Sequence, residues 1–201
     1  GERGFFSRQA SRNQAAKNGR RDINHQFGTN PCSEIILRPQ QFCNLSEVVI
    51  RHDDTIETLK EKVRLATILG TLQATLTDFR YLSPIWKKNT EEEALLGVSL
   101  TGIVDNELMS GKLGFDKLSA VLEELKQHAV DVNKEWAAKL GINQAAAITC
   151  VKPSGTVSEL VDSGAGIHAR HSPYYIRRVR GDAKDPVTQF MIAAGIPNEQ
   201  C

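Results

Sequence analysis

The chain has 201 residues, of which 40% are hydrophobic and 24% charged, with a formal net charge of +1. That is enough apolar material for one medium domain, or a large piece of a bigger one. The near-neutral balance gives no broad electrostatic reason to expect a nucleic-acid or membrane surface. No run of eighteen apolar residues is present for a transmembrane helix, and the polar stretch 1–21 has no apolar signal-peptide core. Four cysteines in a chain of this length do not make a disulfide scaffold, so a reducing, cytoplasmic setting is expected. The missing initiator methionine and the abrupt end at Cys201 lead us to expect an internal fragment, with 1–201 forming a single partial domain.

In chain order, residues 1–29 read as loop with a short helix near 8–17. Two apolar runs, 35–37 and 45–50, separated by Arg38-Pro39, predict two short strands. Leu59, Val63, Ala66, Leu69, Leu72, Leu76 and Phe79 recur in steps of three and four and predict a long amphipathic helix over 58–81. A second helix is expected over 95–109, although Gly97 and Gly102 weaken the pattern. The stripe Leu118, Val121, Leu122, Leu125, Val132, Trp136 and Leu140 predicts a helix over 115–140, stopped by Gly141. Residues 147–151 predict a short strand leading through Pro153-Ser154-Gly155 into a helix start at 157–161. A further strand is expected at 174–180 and a short helix at 186–194, ending near Gly195. Strands alternating with helices place the chain in the α/β class with parallel pairing.

Asn30-Pro31-Cys32-Ser33-Glu34 brings an amide, a thiol and a carboxylate within five residues. If that stretch is extended, Asn30, Cys32 and Glu34 project to one face. Pro31 favours a loop tip or sheet edge. The spacing lacks a metal-ligand pattern, and no metal site is expected. Pro153-Ser154-Gly155-Thr156, following a strand and opening a helix, is a context in which backbone N–H groups bind phosphate, or a capped turn with no ligand.

Together with Cys43-Asn44-Leu45 and Val151-Lys152 ahead of the 153–156 turn, these stretches resemble the catalytic segment of ribonucleotide reductase large subunits. Glu34-Ile35-Ile36-Leu37-Arg38, Trp86-Lys87-Lys88-Asn89-Thr90-Glu91-Glu92-Glu93, the stretch 96–102, Gly166-Ile167-His168 and the stretch 174–180 narrow the resemblance. They point to the adenosylcobalamin-dependent, class II type, in its monomeric triphosphate-reducing branch. The resemblance implies part of a ten-stranded α/β barrel whose central finger loop carries the reactive cysteine.

For the site, it implies that Cys32 carries a transient thiyl radical and that Glu34 and Asn30 manage hydroxyl protons. Cys43 is one of a redox pair whose partner lies upstream. Ser33 and the turn Pro153, Ser154, Gly155 and Thr156 hold the ribonucleotide substrate. Adenosylcobalamin is the implied cofactor, and thioredoxin or a similar dithiol the implied reductant. Cys150 reads as packing, and Cys201 carries no reading. Gly1-Glu2-Arg3-Gly4 resembles a family turn. Ala169 stands where the family has proline, and the Arg177, Arg178 and Arg180 cluster is left open among cofactor, domain contact and solvent. Two alternatives stay open: an iron-dependent two-subunit diphosphate reductase, and a nucleotide-binding module without redox chemistry.

Overall fold

The computed structural model describes residues 4–200. The turn read at Gly1 to Arg3 and the Cys201 thiol lie outside the described residues. The chain divides into two compact units, Gly1–Arg170 and His171–Cys201.

The first unit opens with α1 (Arg8–Ala16), whose N-cap Ser7 accepts from the Ala10 N–H at 3.1 Å. A small antiparallel hairpin follows, β1 (Gly28–Thr29) against β2 (Ile36–Leu37), with Gly28 opposite Leu37 and Thr29 opposite Ile36. β3 (Asn44–Val49) runs parallel to β4 (Leu96–Thr101), registered from Asn44 opposite Leu96 to Val49 opposite Thr101. Between them lie α2 (Ile56–Gln73) and α3 (Pro84–Glu93). A reciprocal capping box of Thr55 and Thr58 starts α2, and Pro84 sits at the start of α3, where its missing N–H costs nothing. After β4 a short 3-10 turn (Ile103–Asp105) leads to α4 (Phe115–Leu140), stopped by Gly141 in the left-handed conformation.

The core lies where α2 and α4 cover one face of the sheet. Val48, Ile50, Leu96 and Val98 meet Leu59, Val63 and Ala66 of α2 and Val121, Leu125 and Ala129 of α4. Small and polar residues complete the α2–α4 contact. Asn133, almost wholly buried, donates to Thr71 Oγ1 at 3.0 Å and accepts from the Ala145 N–H at 2.9 Å. The hydroxyls of Thr67 and Thr71 return to carbonyls one turn back.

Several sequence expectations held. The helix at 115–140 matches α4, that at 8–17 matches α1, and the two strands within 35–50 match β2 and β3. The mixed α/β class with parallel pairing also holds. The helix expected over 58–81 stops at Gln73, and its buried face uses Thr67, Gly70 and Thr71, leaving Leu69 and Leu76 exposed. Past its end the chain turns so that Phe79 reaches Phe42, ring centroids 5.0 Å apart, and Phe42 in turn stacks on Trp86 at 4.7 Å.

The helix expected over 95–109 is β4 and its 3-10 turn. This strand is buried on both faces, so it lacks the alternation that marks a half-exposed strand. Residues 147–150 lie alongside β4 without forming a full strand: the Leu96 N–H donates to the Ala147 carbonyl, Val98 to Ile148, and Cys150 to Val98. One parallel bridge, Val98 with Thr149, results. α3 has no counterpart among the sequence expectations, although Ser83-Pro84 is a usable start signal.

α5 (Gly155–Leu160) begins two residues earlier than the helix start expected at 157–161. In the second unit, α6 (Pro186–Ala193) is capped by Asp185, which accepts from the Thr188 N–H at 2.9 Å, and Gly195 follows it. The strand expected at 174–180 does not form; those residues are exposed and have no regular structure. With no pairing strand beside it among the described residues, an alternating sequence cannot hold an extended ladder.

Candidate active site

The 30–34 stretch is the tip of the β1–β2 hairpin, as Pro31 foreshadows. Asn30 closes the loop three ways. Its amide oxygen accepts from the Ile35 N–H at 3.0 Å, its own N–H donates to the Ile35 carbonyl, and its carbonyl accepts from Ser33 N–H. Ser33 takes a left-handed backbone at φ 63°, with its hydroxyl 3.4 Å from that of Thr29. This reversal overturns the expectation that Asn30, Cys32 and Glu34 share a face. Cys32 is exposed at the tip, whereas the Glu34 side chain is 5% exposed. A left-handed residue between the two breaks the two-residue period of an extended strand.

A buried clamp fixes the hairpin base. Arg21 grips Glu93 with two hydrogen bonds of 2.9 and 2.8 Å and donates to the Ile36 carbonyl at 2.8 Å. Gln41 donates to Glu93 and to the Asn89 carbonyl, while its side-chain oxygen accepts from the Arg38 N–H. Arg38 completes the set by donating to Glu92 at 2.7 Å and to Asn89 Oδ1 at 2.8 Å. That hydrogen bond holds the Glu92 carboxyl below its ordinary value. Two of the strings that carried the resemblance, 34–38 and 86–93, are therefore halves of one contact.

Cys43, just ahead of β3, and Cys150, beyond β4, bring their sulfurs together over Gly97. A Cβ built on Gly97 would lie 3.3 Å from the Cys43 sulfur, 3.2 Å from the Cys150 sulfur and 2.4 Å from Leu45 Cδ2. Only a residue without a side chain leaves this space. Burial pushes the Cys43 thiol up to about 12, with Cys150 adding to the shift. Burial also pushes Cys150 up to about 11, with the Glu34 charge acting in the same direction. Glu34 therefore reaches the neighbourhood of both thiols. Its two carboxylate oxygens are buried without a hydrogen-bond partner. Lys152 Nζ stands 3.9 Å from its Oε1. Glu34 also lines a cleft of about 250 Å³ together with Arg20, Leu96 and Ile148.

The 153–156 turn sits on the same strand extension. Ser154 is left-handed at φ 47° and buried, and its hydroxyl donates to Glu47 of β3. That hydroxyl is thus engaged with a carboxylate. Gly155 and Thr156 are exposed at the first turn of the six-residue α5, where backbone N–H groups have no intrahelical partner. Further on, the Gly102 N–H donates to the Gly164 carbonyl, Thr101 Oγ1 bridges the Gly164 carbonyl and Gly166 N–H, and Asp105 accepts from Gly164 N–H. A Cβ on Gly102 would lie 2.6 Å from the Ile50 carbonyl, so the string 164–168 docks on a backbone that needs glycine. Arg170 locks this loop by pairing with Asp162 at 2.7 Å.

The structure thus brings Glu34 into the electrostatic surroundings of Cys43, and adds Cys150, read from sequence as packing, and Lys152, which leads into the 153–156 turn. Cys32 and Ser33 stand at the exposed tip. The arginines 177, 178 and 180 belong to the second unit. Among the described residues, no group of three His, Cys, Asp or Glu side chains could hold a metal ion, and no helix is long and apolar enough to cross a membrane.

No protein-family model matches the chain. It is similar to the adenosylcobalamin-dependent ribonucleoside-triphosphate reductase of Lactobacillus acidophilus, at 30% identity over 195 residues, covering 86% of this chain and 26% of that protein. The reductase of the same name from Euglena gracilis is 31% identical over 194 residues, covering 92% of this chain and 25% of that one. That of Lactobacillus leichmannii is 28% identical, covering 86% and 26%. The chain spans about a quarter of the length of these curated relatives. A crystal structure of a B-12 dependent (class II) ribonucleotide reductase superposes with a TM-score of 0.59 at 24% identity, covering 70% of this chain and 22% of that one.

The fold is therefore that of a segment of a class II ribonucleotide reductase. In sequence, the chain is a homologue of the adenosylcobalamin-dependent ribonucleoside-triphosphate reductases, as the motifs implied.

Proposed function

We propose that this chain is the catalytic segment of an enzyme that reduces ribonucleotides, at the triphosphate level, to 2′-deoxyribonucleotides by a thiyl-radical route. The observation that carries this reading is the Glu34 carboxylate. It is buried, has no hydrogen-bond partner on either oxygen, lies within electrostatic reach of two thiols, and is two residues from an exposed cysteine. A buried acceptor left without a donor is costly unless a ligand supplies one, and a sugar hydroxyl does so.

In this mechanism Cys32 takes the 3′-hydrogen atom of the ribose while Glu34 accepts the 3′-hydroxyl proton. The 2′-hydroxyl, once protonated, leaves as water. Cys43 and its partner thiol supply two electrons and two protons and close into a disulfide, and Cys32 returns the hydrogen atom to C3′. Asn30, by closing the 30–35 loop, fixes the distance between the radical-bearing sulfur and the base. Ser33 provides the reversal that puts one residue outward and the next inward. The turn Pro153, Ser154, Gly155 and Thr156 holds the anionic tail through backbone N–H groups, with Ser154 braced by Glu47.

Adenosylcobalamin fits at one point of this chain, the exposed Cys32, where a bulky group can approach the sulfur. Bound there, it supplies the one-electron oxidising equivalent. In the complete protein the hairpin serves as the finger loop of a ten-stranded α/β barrel, of which residues 1–201 form one partial domain. The enzyme works as a cytoplasmic monomer, and thioredoxin or a similar dithiol restores Cys43. Two variants of the full-length reductase test this. Glu34→Gln is expected to lower kcat by about 10²–10⁴-fold, the range of a lost general base. Cys43→Ser is expected to abolish turnover driven by the dithiol. Wild-type turnover in either contradicts the role given to that residue.

A further inference from the structure

Lys152 belongs to a string that carried the resemblance but had no role of its own. Its Nζ lies 3.9 Å from Glu34 Oε1. The other charged and titratable groups felt around the two thiols and Glu34 are Cys43, Cys150, Arg21 and Glu47. Arg21 is already committed to Glu93, Gln41 and the Ile36 carbonyl, and Glu47 to Ser154. Lys17, Arg20 and Lys126 line the cleft that Glu34 also lines, but Lys152 is the cation paired with Glu34 among the described residues.

The backbone holds Lys152 in place. Its N–H donates to the buried Ser99 hydroxyl at 2.9 Å, and the following Pro153 restricts its backbone to extended angles. The side chain is 32% exposed, so it spans from solvent to the base. Two residues further on, Ser154 opens the turn assigned to the anionic tail of the substrate.

We infer that Lys152 is a positioning residue, which keeps the Glu34 carboxylate aimed at the 3′-hydroxyl and sets the span between that hydroxyl and the tail-binding turn. This rests on the reading of Glu34 as the base. Arginine keeps the charge, although its fork differs in shape.

The test is steady-state kinetics of full-length Lys152→Met and Lys152→Arg across the neutral pH range, with Glu34→Gln and the Glu34→Gln/Lys152→Met double variant beside them. Lys152→Met is expected to lower kcat roughly 10–100-fold, with KM within about threefold. Lys152→Arg is expected to recover most of kcat, and Lys152→Met to add little in the Glu34→Gln background. A raised KM at unchanged kcat makes Lys152 a phosphate contact and overturns the inference. So does a methionine variant with wild-type kinetics, or an arginine variant that recovers nothing. Full activity in Glu34→Gln sinks the reading of the base itself, whereas an inactive Glu34→Gln with an unaffected Lys152→Met sinks only the role of Lys152.

Discussion

Gly97 and the two thiols around it show how much one missing Cβ decides. Gly97→Ala would drive a methyl group into Leu45 and against both sulfurs. Overpacking of this kind costs about 1–3 kcal/mol, so the variant should unfold at lower temperature in a thermal melt. The thiols also tie stability to pH. Cys43 ionises from an ordinary value of 9.0 when unfolded but only near about 12 when folded. Between those values the unfolded chain has lost a proton that the folded one keeps. Stability is therefore intact below pH 9.0 and falls as pH rises toward about 12. Denaturant titrations should show that decline, and Cys43→Ala should lessen it. Alkylation followed by mass spectrometry should modify exposed Cys32 well before Cys43 or Cys150.

The loop was more legible than the orientation of its side chains. Asn30 and Pro31 announced a loop tip, but the left-handed Ser33, which turns Cys32 out and Glu34 in, leaves no mark in a pattern of alternate positions. Cys150 read as packing because its nearness to Cys43 depends on β4 lying between them, a long-range pairing that local sequence does not encode.

At the scale of elements, the hairpin is held by side chains more than by its own ladder of two paired positions. The buried Arg21–Glu93 pair anchors it to the end of α3. Breaking a buried pair by removing one partner costs about 3–5 kcal/mol, because the other charge is stranded. Glu93→Ala should lower stability by that order. Amide hydrogen exchange at Ile35, whose N–H closes the 30–35 loop, should quicken with it. Helices with a clear stripe and stop signal, such as α4, were readable to the residue. β4 was not, because a strand buried on both faces carries an unbroken apolar and small-residue run that also suits a helix. The end of α2 was overrun because Leu76 and Phe79 continue its spacing, although Phe79 is used in an aromatic contact with Phe42.

At the largest scale, within the first unit, β3 and β4 have residues 147–150 beside them, the hairpin residues Glu34, Ile35 and Ile36 line a cleft with Leu96 and Ile148, and the loops after β4 bond back to its end. The strings that carried the resemblance are spatial partners here: 34–38 with 86–93, and 96–102 with 166–168. Their joint presence in the sequence carries more weight than any one alone, since each is shaped by contact with another. The class of fold was legible from these strings. The ten-stranded barrel was an expectation from resemblance alone; the described residues form two two-stranded sheets in a chain spanning about a quarter of its relatives.

The central claim is that the Cys32 sulfur, presented at the hairpin tip, starts the reaction. Its most direct test is deoxynucleotide formation by the full-length reductase carrying Cys32→Ser, with adenosylcobalamin and dithiol supplied. The expected result is no product above background in a protein that folds and binds nucleotide as the wild type does. Substantial deoxynucleotide formation without that sulfur would contradict the account.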